Sequence, residues 1–130
     1  LVQVLGGLLG MLVAHLMFDM ALLQESEKVR TGLGQWAAEG VATFGLVATI
    51  LGCLRARPDA VAMAVGLYIT AGYWFTASTS FANPAVTVAR SFTNTFAGIQ
   101  VADAPAFILM QIVGGVVAVL VTEWLWRDAN

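Results

Sequence analysis

The sequence predicts an all-α protein that lies in a membrane, and two observations lead to this fold class. First, 59% of the 130 residues are hydrophobic and only 11% are charged, whereas ordinary soluble domains are about 25% charged. Second, Arg90 is the single charged residue within four long apolar stretches: Leu1–Phe18, Val41–Leu54, Ala60–Gly98 and Ala104–Thr122. None of these stretches alternates with a period of two, so helices rather than a barrel are expected.

The same composition excludes several classes of function. A soluble enzyme domain needs a polar shell, and a nucleic-acid-binding protein needs a basic face. The formal net charge is −2, and the single cysteine, Cys53, excludes an intrachain disulfide and a cysteine-based zinc site. The sequence offers no metal-ligand cluster, no phosphate-binding glycine loop and no nucleophile–base set. We therefore expect no metal, no cofactor, no nucleic-acid partner and no enzymatic activity.

Four segments are apolar enough for transmembrane helices, which need about 20 residues. They are Leu1–Leu23, Leu33–Leu54, Ala60–Phe81 and Pro105–Trp126. The connector Gln24–Gly32 carries four charged residues and is predicted to be a solvated loop, while Arg55–Asp59 is predicted to be a tight link. Three arginines lie in that link and at the C-terminus, against two basic residues in Gln24–Gly32. The positive-inside rule therefore places the link and the C-terminus in the cytoplasm.

The chain contains an internal repeat. Gln3–Val13, QVLGGLLGMLV, matches Gln111–Val121, QIVGGVVAVLV, at a constant offset of 108 residues. The first and fourth spans are thus predicted to be equivalent elements of two halves, and an odd number of spans in each half gives inverted topology. Because two spans lie between the two copies, the first half needs two further spans upstream of Leu1, and we expect a six-span protein. The glycines of the two copies, such as Gly6 and Gly114, are predicted to pack against each other.

The connector between the third and fourth spans, Ala82–Ala104, carries the most informative motif. Asn83 is a good helix N-cap and Pro84 suits the first helical position, so a short helix is predicted to begin at Pro84. The apolar stretch Ala85–Phe96 is too short to span a bilayer. If it re-enters the membrane, its N-terminus repels cations and donates hydrogen bonds to neutral solutes near the midplane. The alternative is a surface turn before an ordinary amphipathic helix.

The motif Asn83-Pro84-Ala85 resembles the second NPA motif of the aquaporin, or major intrinsic protein, family. The resemblance covers essentially the whole chain, whose four predicted spans match spans three to six of that family. It implies a right-handed helical bundle with an inverted repeat, present here as four spans and one re-entrant half-helix out of six and two. Residues 1–130 would form one partial channel domain that lacks the first two spans and the first NPA loop. The family also implies a homotetramer with one pore in each protomer.

The positions that match the family's selectivity filter depart from its usual pattern. The family usually has arginine three residues after the motif asparagine, and this chain has Val86 there. The other filter positions on this half match Ser80 and either Ala71, counted back from the motif, or Tyr73, counted forward along the span; Ala71 is favoured. A filter of Ala71, Ser80 and Val86 is wide and weakly polar. Together with the run NPAVT, it resembles the bacterial arsenic-operon aquaglyceroporin-like branch, which implies a multi-pass protein of the bacterial inner membrane.

Other polar residues lie in apolar surroundings. Arg90, one turn beyond Val86, either reaches the outer vestibule and partly replaces the missing arginine, or snorkels toward the headgroups. Glu39 is predicted to be a buried acid that holds the re-entrant loop through backbone hydrogen bonds, with a wet interfacial position as the alternative. His15 and Asp19, four residues apart, are interpreted as an interfacial pair, with a pH-sensitive gate as the alternative.

These features predict a passive channel for water and small uncharged solutes such as glycerol and neutral arsenite. A secondary transporter built on a helix broken at Asn83 is one alternative. Coupled transport normally needs intramembrane acids, and only Glu39 is available. A non-conducting truncated membrane protein is a second alternative, because half of the pore is missing from the sequence. The expected partners are the lipid bilayer, the solute and other copies of the chain.

Overall fold

The computed structural model describes residues 1–127, which form α-helices joined by loops. The helices are α1 (Val2–Met17), α2 (Leu33–Ala56), α3 (Val61–Phe75), α4 (Pro84–Arg90) and α5 (Ala104–Trp126). Short 3₁₀ turns lead into α3 at Pro58–Ala60 and into α5 at Val101–Asp103. No strand occurs in this part of the chain, which confirms the predicted all-α class for these residues.

Apolar side chains cover the outside of the helices. Leu9, Leu67 and Leu109 are each exposed by 60% or more of their surface. The buried cluster of large apolar side chains is small by comparison and consists of Phe81, Ile99 and Phe107. Water disfavours such a surface by about 25 cal/mol per Å² of apolar area, whereas lipid does not. The outer surface of the bundle is therefore suited to a bilayer.

Two of the described helices are long and apolar enough to cross a membrane. They are α2, with 24 residues, and α5 together with its leading turn, Val101–Trp126, with 26 residues. α1 has 16 residues and α3 has 15, and at about 1.5 Å per residue both are shorter than a bilayer core of about 30 Å. The predicted spans Leu1–Leu23 and Ala60–Phe81 are thus too long at their C-terminal ends.

α1 ends at Met17 because of the backbone conformation two residues later. Asp19 has a φ of 56°, in the left-handed region that ends many helices. The amide of Met20 then donates back to the carbonyl of His15 at 2.9 Å, as in a Schellman motif. The apolar residues that follow lie in a loop, although their composition favoured a longer helix.

α3 ends at Phe75, and the chain then runs through a strained loop to the Asn-Pro motif. Thr76 is extended, with a ψ of 139°. Thr79, Ser80 and Ala82 all have a positive φ, between 49° and 62°. Residues with a Cβ adopt this conformation rarely, at about 1 kcal/mol or more each. The loop therefore depends on contacts from the rest of the bundle to hold its shape.

Glycines set the spacing of two helix pairs, and these pairs differ from the prediction. A Cβ on Gly114 of α5 would overlap the Gly40 carbonyl oxygen of α2 and would lie 3.1 Å from the amide nitrogen of Phe44. A Cβ on Gly7 of α1 would lie 3.2 Å from the Cβ of Ala89 in α4. The prediction that the glycines of the two repeat copies pack on each other is therefore wrong, because each copy packs on a different helix.

The connector Gln24–Gly32 is only partly solvated, which also corrects the prediction. Its acidic residues are exposed, but Ser26 is 2% exposed and Arg30 is 3% exposed. The amide of Ser26 donates to the carbonyl of Ser91 at 2.9 Å. This loop therefore packs onto the segment that follows α4, and it forms one side of the site described next.

Candidate functional site

The short helix α4 begins at the Asn-Pro motif, where the sequence predicted it. Asn83 is extended, with a φ of −159°, and its Oδ1 accepts the amide N–H of Ala85 at 2.8 Å. Pro84 occupies the first helical position, where a missing N–H has no cost. The carbonyl of Asn83 accepts the amide N–H of Thr87 at 3.0 Å. The apolar stretch predicted as helical continues to Phe96, but the helix itself ends at Arg90.

Glu39 of α2 holds the loop that precedes this helix. Its side chain is fully buried, with 0% exposure. One carboxylate oxygen accepts the amide N–H of Phe81 at 3.2 Å, and the other accepts the amide N–H of Ala82. The side-chain amide of Gln111 donates to Glu39 and to the hydroxyl of Thr87, at 2.8 Å in each case. Charged and polar groups of α2, α4 and α5 thus meet behind the Asn-Pro motif.

A cavity of about 660 Å³ lies between α1 and α4. Gly7, Met11 and His15 line it on the α1 side, and Val86 and Arg90 line it on the α4 side. The walls are mainly apolar. Among the described residues that line the cavity, Arg90 is the one with a permanent charge. Val86 and Arg90 are four residues apart and share one face of α4, as their spacing predicted.

The guanidinium of Arg90 lies inside the bundle instead of extending toward the surface. Its carbon atom lies 4.2 Å from the ring centre of Phe81 and 5.7 Å from that of Tyr73, distances typical of cation–π contacts. Its Nη1 donates to the hydroxyl of Thr79 at 3.3 Å. Tyr73 also packs edge-to-face on Phe96, which lines the cavity. These contacts favour the vestibule interpretation of Arg90 over snorkelling.

The predicted filter residues lie in three different settings. Val86 borders the cavity and packs against the cluster around Phe81. Ser80 is 3% exposed, and its side chain faces α3, where its Oγ would lie 2.8 Å from a Cβ on Gly72. Ala71 is exposed on α3, and Tyr73 is the α3 residue that contacts Arg90. The structure thus places Val86 and Arg90 at one cavity and Tyr73 against Arg90. The assignment of Ala71, Ser80 and Val86 to a filter stays a prediction.

Arg30 is the residue that the sequence analysis missed. It was assigned to a solvated loop with its charged neighbours, yet its guanidinium is buried beside the motif. Its carbon atom lies 5.1 Å from the ring centre of Phe81, the ring that Arg90 also contacts. Nothing in the local sequence distinguishes Arg30 from Lys28, because the carbonyl groups that bind it lie more than 45 residues away.

His15 is buried, which contradicts the interpretation of His15 and Asp19 as an interfacial pair. Its exposure is 2%, and its Nδ1 donates to the carbonyl of Leu22 at 2.9 Å. Its Nε2 lies 2.9 Å from the hydroxyl of Thr93. Asp19 is exposed and takes part in the helix end described above. His15 therefore ties α1 to the loop that follows it and to the segment after α4.

Other candidate chemistry is sparse in residues 1–127. This part of the chain holds no group of three or more His, Cys, Asp or Glu side chains placed to bind a metal ion. Cys53 is half-buried in α2 as a free thiol. In the turn before α3, the exposed pair Arg57 and Asp59 joins at 3.1 Å, and the hydrogen bond from Arg57 lowers the pKa of the Asp59 carboxyl.

The apolar helical bundle, with two helices long enough to cross a membrane, is that of a helical membrane protein. The sequence is 58% identical over 128 residues to aquaglyceroporin AqpS of Rhizobium meliloti (strain 1021), and this alignment covers 98% of the chain and 55% of AqpS. The chain belongs to the aquaporin, or major intrinsic protein, family. It spans about half the length of this curated relative. No sequence model of a protein family matches the chain, and no solved structure matches it.

Proposed function

We propose that this chain is part of a passive channel for water and small uncharged solutes such as glycerol. The observation that carries the proposal is the buried Glu39, which anchors the Asn83-Pro84-Ala85 loop beside a cavity bordered by Val86 and Arg90. The relative is named an aquaglyceroporin, which supports the same solute class. Because the chain spans 55% of that relative, the activity is proposed for the whole protein that contains it.

The proposal includes the half of the pore that this chain does not contain, and the repeat indicates where the short helix of that half would lie. The offset of 108 residues pairs Gly7 with Gly115, and Gly7 packs on α4. By the repeat, Gly115 faces the seat of a second short helix. A cavity of about 430 Å³ lies there, lined by Gly115, Pro84 and Gln111 among others. The Oε1 atom of Gln111 is buried and has no hydrogen-bond partner within residues 1–127, so it can accept a donor from an upstream segment.

The proposed filter is wide and weakly polar on this half. Val86 stands where the family usually has arginine, and Arg90 supplies positive charge one turn further toward the outside. Ser80 and Ala71 complete the filter in this proposal, with Tyr73 as the second candidate on α3 because it contacts Arg90. Because valine instead of arginine occupies position 86, the proposed filter admits solutes larger than water, including neutral arsenite.

Coupled transport is a poorer account of the same residues. A transporter would need Glu39 to bind and release a proton or an ion during each cycle. Glu39 instead accepts hydrogen bonds from Phe81, Ala82 and Gln111, and these bonds hold the loop. We therefore propose a channel rather than a coupled transporter. In line with the family resemblance, we also propose that it performs no catalysis, crosses the bacterial inner membrane several times and assembles as a homotetramer.

The test uses the full-length protein in liposomes and measures stopped-flow uptake of water, glycerol and neutral arsenite. Wild type should exceed empty liposomes for all three solutes. Val86→Arg should lower glycerol and arsenite permeability more than water permeability, because the longer cationic side chain narrows the opening. Val86→Leu is the matched control, since it changes size without charge. Equal permeability to glycerol in wild type and Val86→Arg would show that Val86 does not line the pore, and no uptake by wild type would refute the channel.

A further inference from the structure

Two arginines from distant parts of the chain contact the ring of Phe81. The guanidinium carbon of Arg30 lies 5.1 Å from the ring centre, and that of Arg90 lies 4.2 Å from it. Phe81 itself is 3% exposed and packs on Phe107 at 5.2 Å between ring centres. Both guanidinium groups thus contact one buried ring beside the Asn-Pro motif.

The two arginines differ in how their hydrogen-bond donors are used. Arg30 donates from Nε to the carbonyl of Gly98 at 2.6 Å, from Nη1 to Ser78 at 3.0 Å and from Nη2 to Phe96 at 2.7 Å. Each guanidinium nitrogen thus has a backbone acceptor, so the group is held in place, and Arg30 is buried and does not line the cavity. Among the described residues, Arg90 makes one side-chain hydrogen bond, from Nη1 to Thr79. Its other donors are available to the cavity that it borders.

Charge repulsion favours this arrangement. Burial lowers the pKa of the Arg30 guanidinium, and the nearby charge of Arg90 lowers it further. Both groups stay protonated, because the pKa of arginine is far above neutral pH. Since three carbonyl groups hold Arg30 and one hydroxyl holds Arg90, the repulsion displaces Arg90 more easily and favours positions of its guanidinium away from Arg30. Those positions lie toward Tyr73 and the cavity.

We propose that Arg30 is a positioning residue for selectivity, which holds Phe81 and directs the guanidinium of Arg90 into the conduction path. Arg90 then contacts the solute and takes over the role of the arginine missing at Val86. Its positive charge repels cations, and its free N–H groups donate to the oxygens of small neutral solutes. This inference rests on the proposed channel function and adds a residue from the loop between α1 and α2 to its specificity.

The alternative is that Arg30 only fastens the loop to its neighbours. A loosened loop would reduce the fraction of functional channels, which lowers all solute fluxes equally. Altered positioning of Arg90 would change the ratio of glycerol to water permeability and the leak of Na⁺. The ratio and the leak are therefore the readouts that separate the two roles.

The experiment compares Arg30→Lys, Arg90→Met and the double variant in the full-length protein reconstituted in liposomes. Lysine keeps the charge but lacks the planar fork that three carbonyl groups bind here. Arg90→Met should change the permeability ratio and raise Na⁺ leak, and Arg30→Lys should change both in the same direction, about threefold or more. In the double variant, Arg30→Lys should add nothing to the effect of Arg90→Met. Lys28→Gln, which removes an exposed charge from the same loop, should leave the ratio at the wild-type value.

Other outcomes overturn the proposal in distinguishable ways. If Arg30→Lys lowers water and glycerol flux equally, or changes the ratio as much in the Arg90→Met background, Arg30 does not act through Arg90. If Arg30→Lys gives no folded protein, Phe81→Leu tests the same link, because it keeps apolar bulk and removes the ring that both arginines contact. An unchanged ratio in Phe81→Leu contradicts the proposal. If wild type passes neither solute, the channel function fails first, and this inference fails with it.

Discussion

Replacing Glu39 with glutamine tests how the Asn-Pro loop is held. In the structure, the two carboxylate oxygens accept hydrogen bonds from the Phe81 amide, the Ala82 amide and the Gln111 side chain. Glutamine has nearly the same shape but only one acceptor oxygen. One of the two oxygen positions is therefore taken by the glutamine NH₂ group, which faces the N–H of Phe81 or Ala82. The hydrogen bonds that remain are made to a neutral oxygen instead of a charged one.

The size of the effect follows from these contacts. A hydrogen bond to a charged group contributes about 1.5–3 kcal/mol, and a buried donor left without an acceptor costs about 1–3 kcal/mol. Removal of a buried charge offsets part of this loss. We therefore expect Glu39→Gln to destabilise the loop by about 3 kcal/mol, which corresponds to about a hundredfold loss of protection from local opening.

Hydrogen exchange measured by mass spectrometry on the full-length protein in detergent gives a local readout. A peptide that contains Phe81 and Ala82 should exchange up to about a hundredfold faster in Glu39→Gln, and the melting temperature should fall. Glu25→Gln is the matched control, because Glu25 is exposed in the loop after α1. If both variants exchange and melt like wild type, Glu39 does not hold this loop and the wet interfacial interpretation is right.

Three further predictions concern stability, each checked by thermal unfolding in detergent. Gly114→Ala should destabilise the protein by about 1–3 kcal/mol through overlap with the Gly40 carbonyl. Gly52→Ala is the matched control, because a Cβ there would meet no atom within 4 Å and should not lower the melting temperature; equal melting of the two variants would show that Gly114 does not set the spacing of α2 and α5. His15→Phe should lower stability by about 1–3 kcal/mol, because it removes both buried hydrogen bonds of the imidazole, and an unchanged melting curve would contradict this. The lowered pKa of Asp59 means that any stability from its pair with Arg57 is present above the ordinary pKa of 3.8 and is lost as the pH falls below that value. Because the pair is exposed, Asp59→Asn should leave melting at pH 7 almost unchanged, and a large fall would be the contrary result.

The parts of the fold that the sequence predicted well depend on local chemistry. Asn83 and Pro84 begin α4 because an asparagine cap and a proline at the first helical position act within one turn. Glu39 could be singled out because a lone acid in a 24-residue apolar helix needs a partner, and backbone amides were the available donors. Val86 and Arg90 share a face because helical periodicity alone places them there.

The parts that were missed depend on contacts between distant residues or on the backbone of a loop. The C-terminal ends of α1 and α3 lie inside apolar runs. Apolar residues lie on both sides of each end, so composition does not mark where the helix stops. Ala82 has a positive φ, which alanine rarely adopts, so no sequence signal marks it. The contacts of Gly7 and Gly114 depend on how the helices cross in three dimensions. Comparing the two copies of the sequence repeat does not reveal these crossings.

Arg30 and Glu39 together explain how an irregular loop can persist within an apolar bundle. Backbone N–H and C=O groups outside a helix must find partners when no water is present. Glu39 accepts the N–H groups of Phe81 and Ala82, while Arg30 donates to carbonyl groups on both sides of α4. The buried negative charge of Glu39 thus binds backbone N–H groups, and the buried positive charge of Arg30 binds backbone carbonyl groups. Every nitrogen of Arg30 and both oxygens of Glu39 are engaged in this way, and neither side chain lines the cavity between α1 and α4. The charged group that borders that cavity is Arg90, which makes one side-chain hydrogen bond among the described residues.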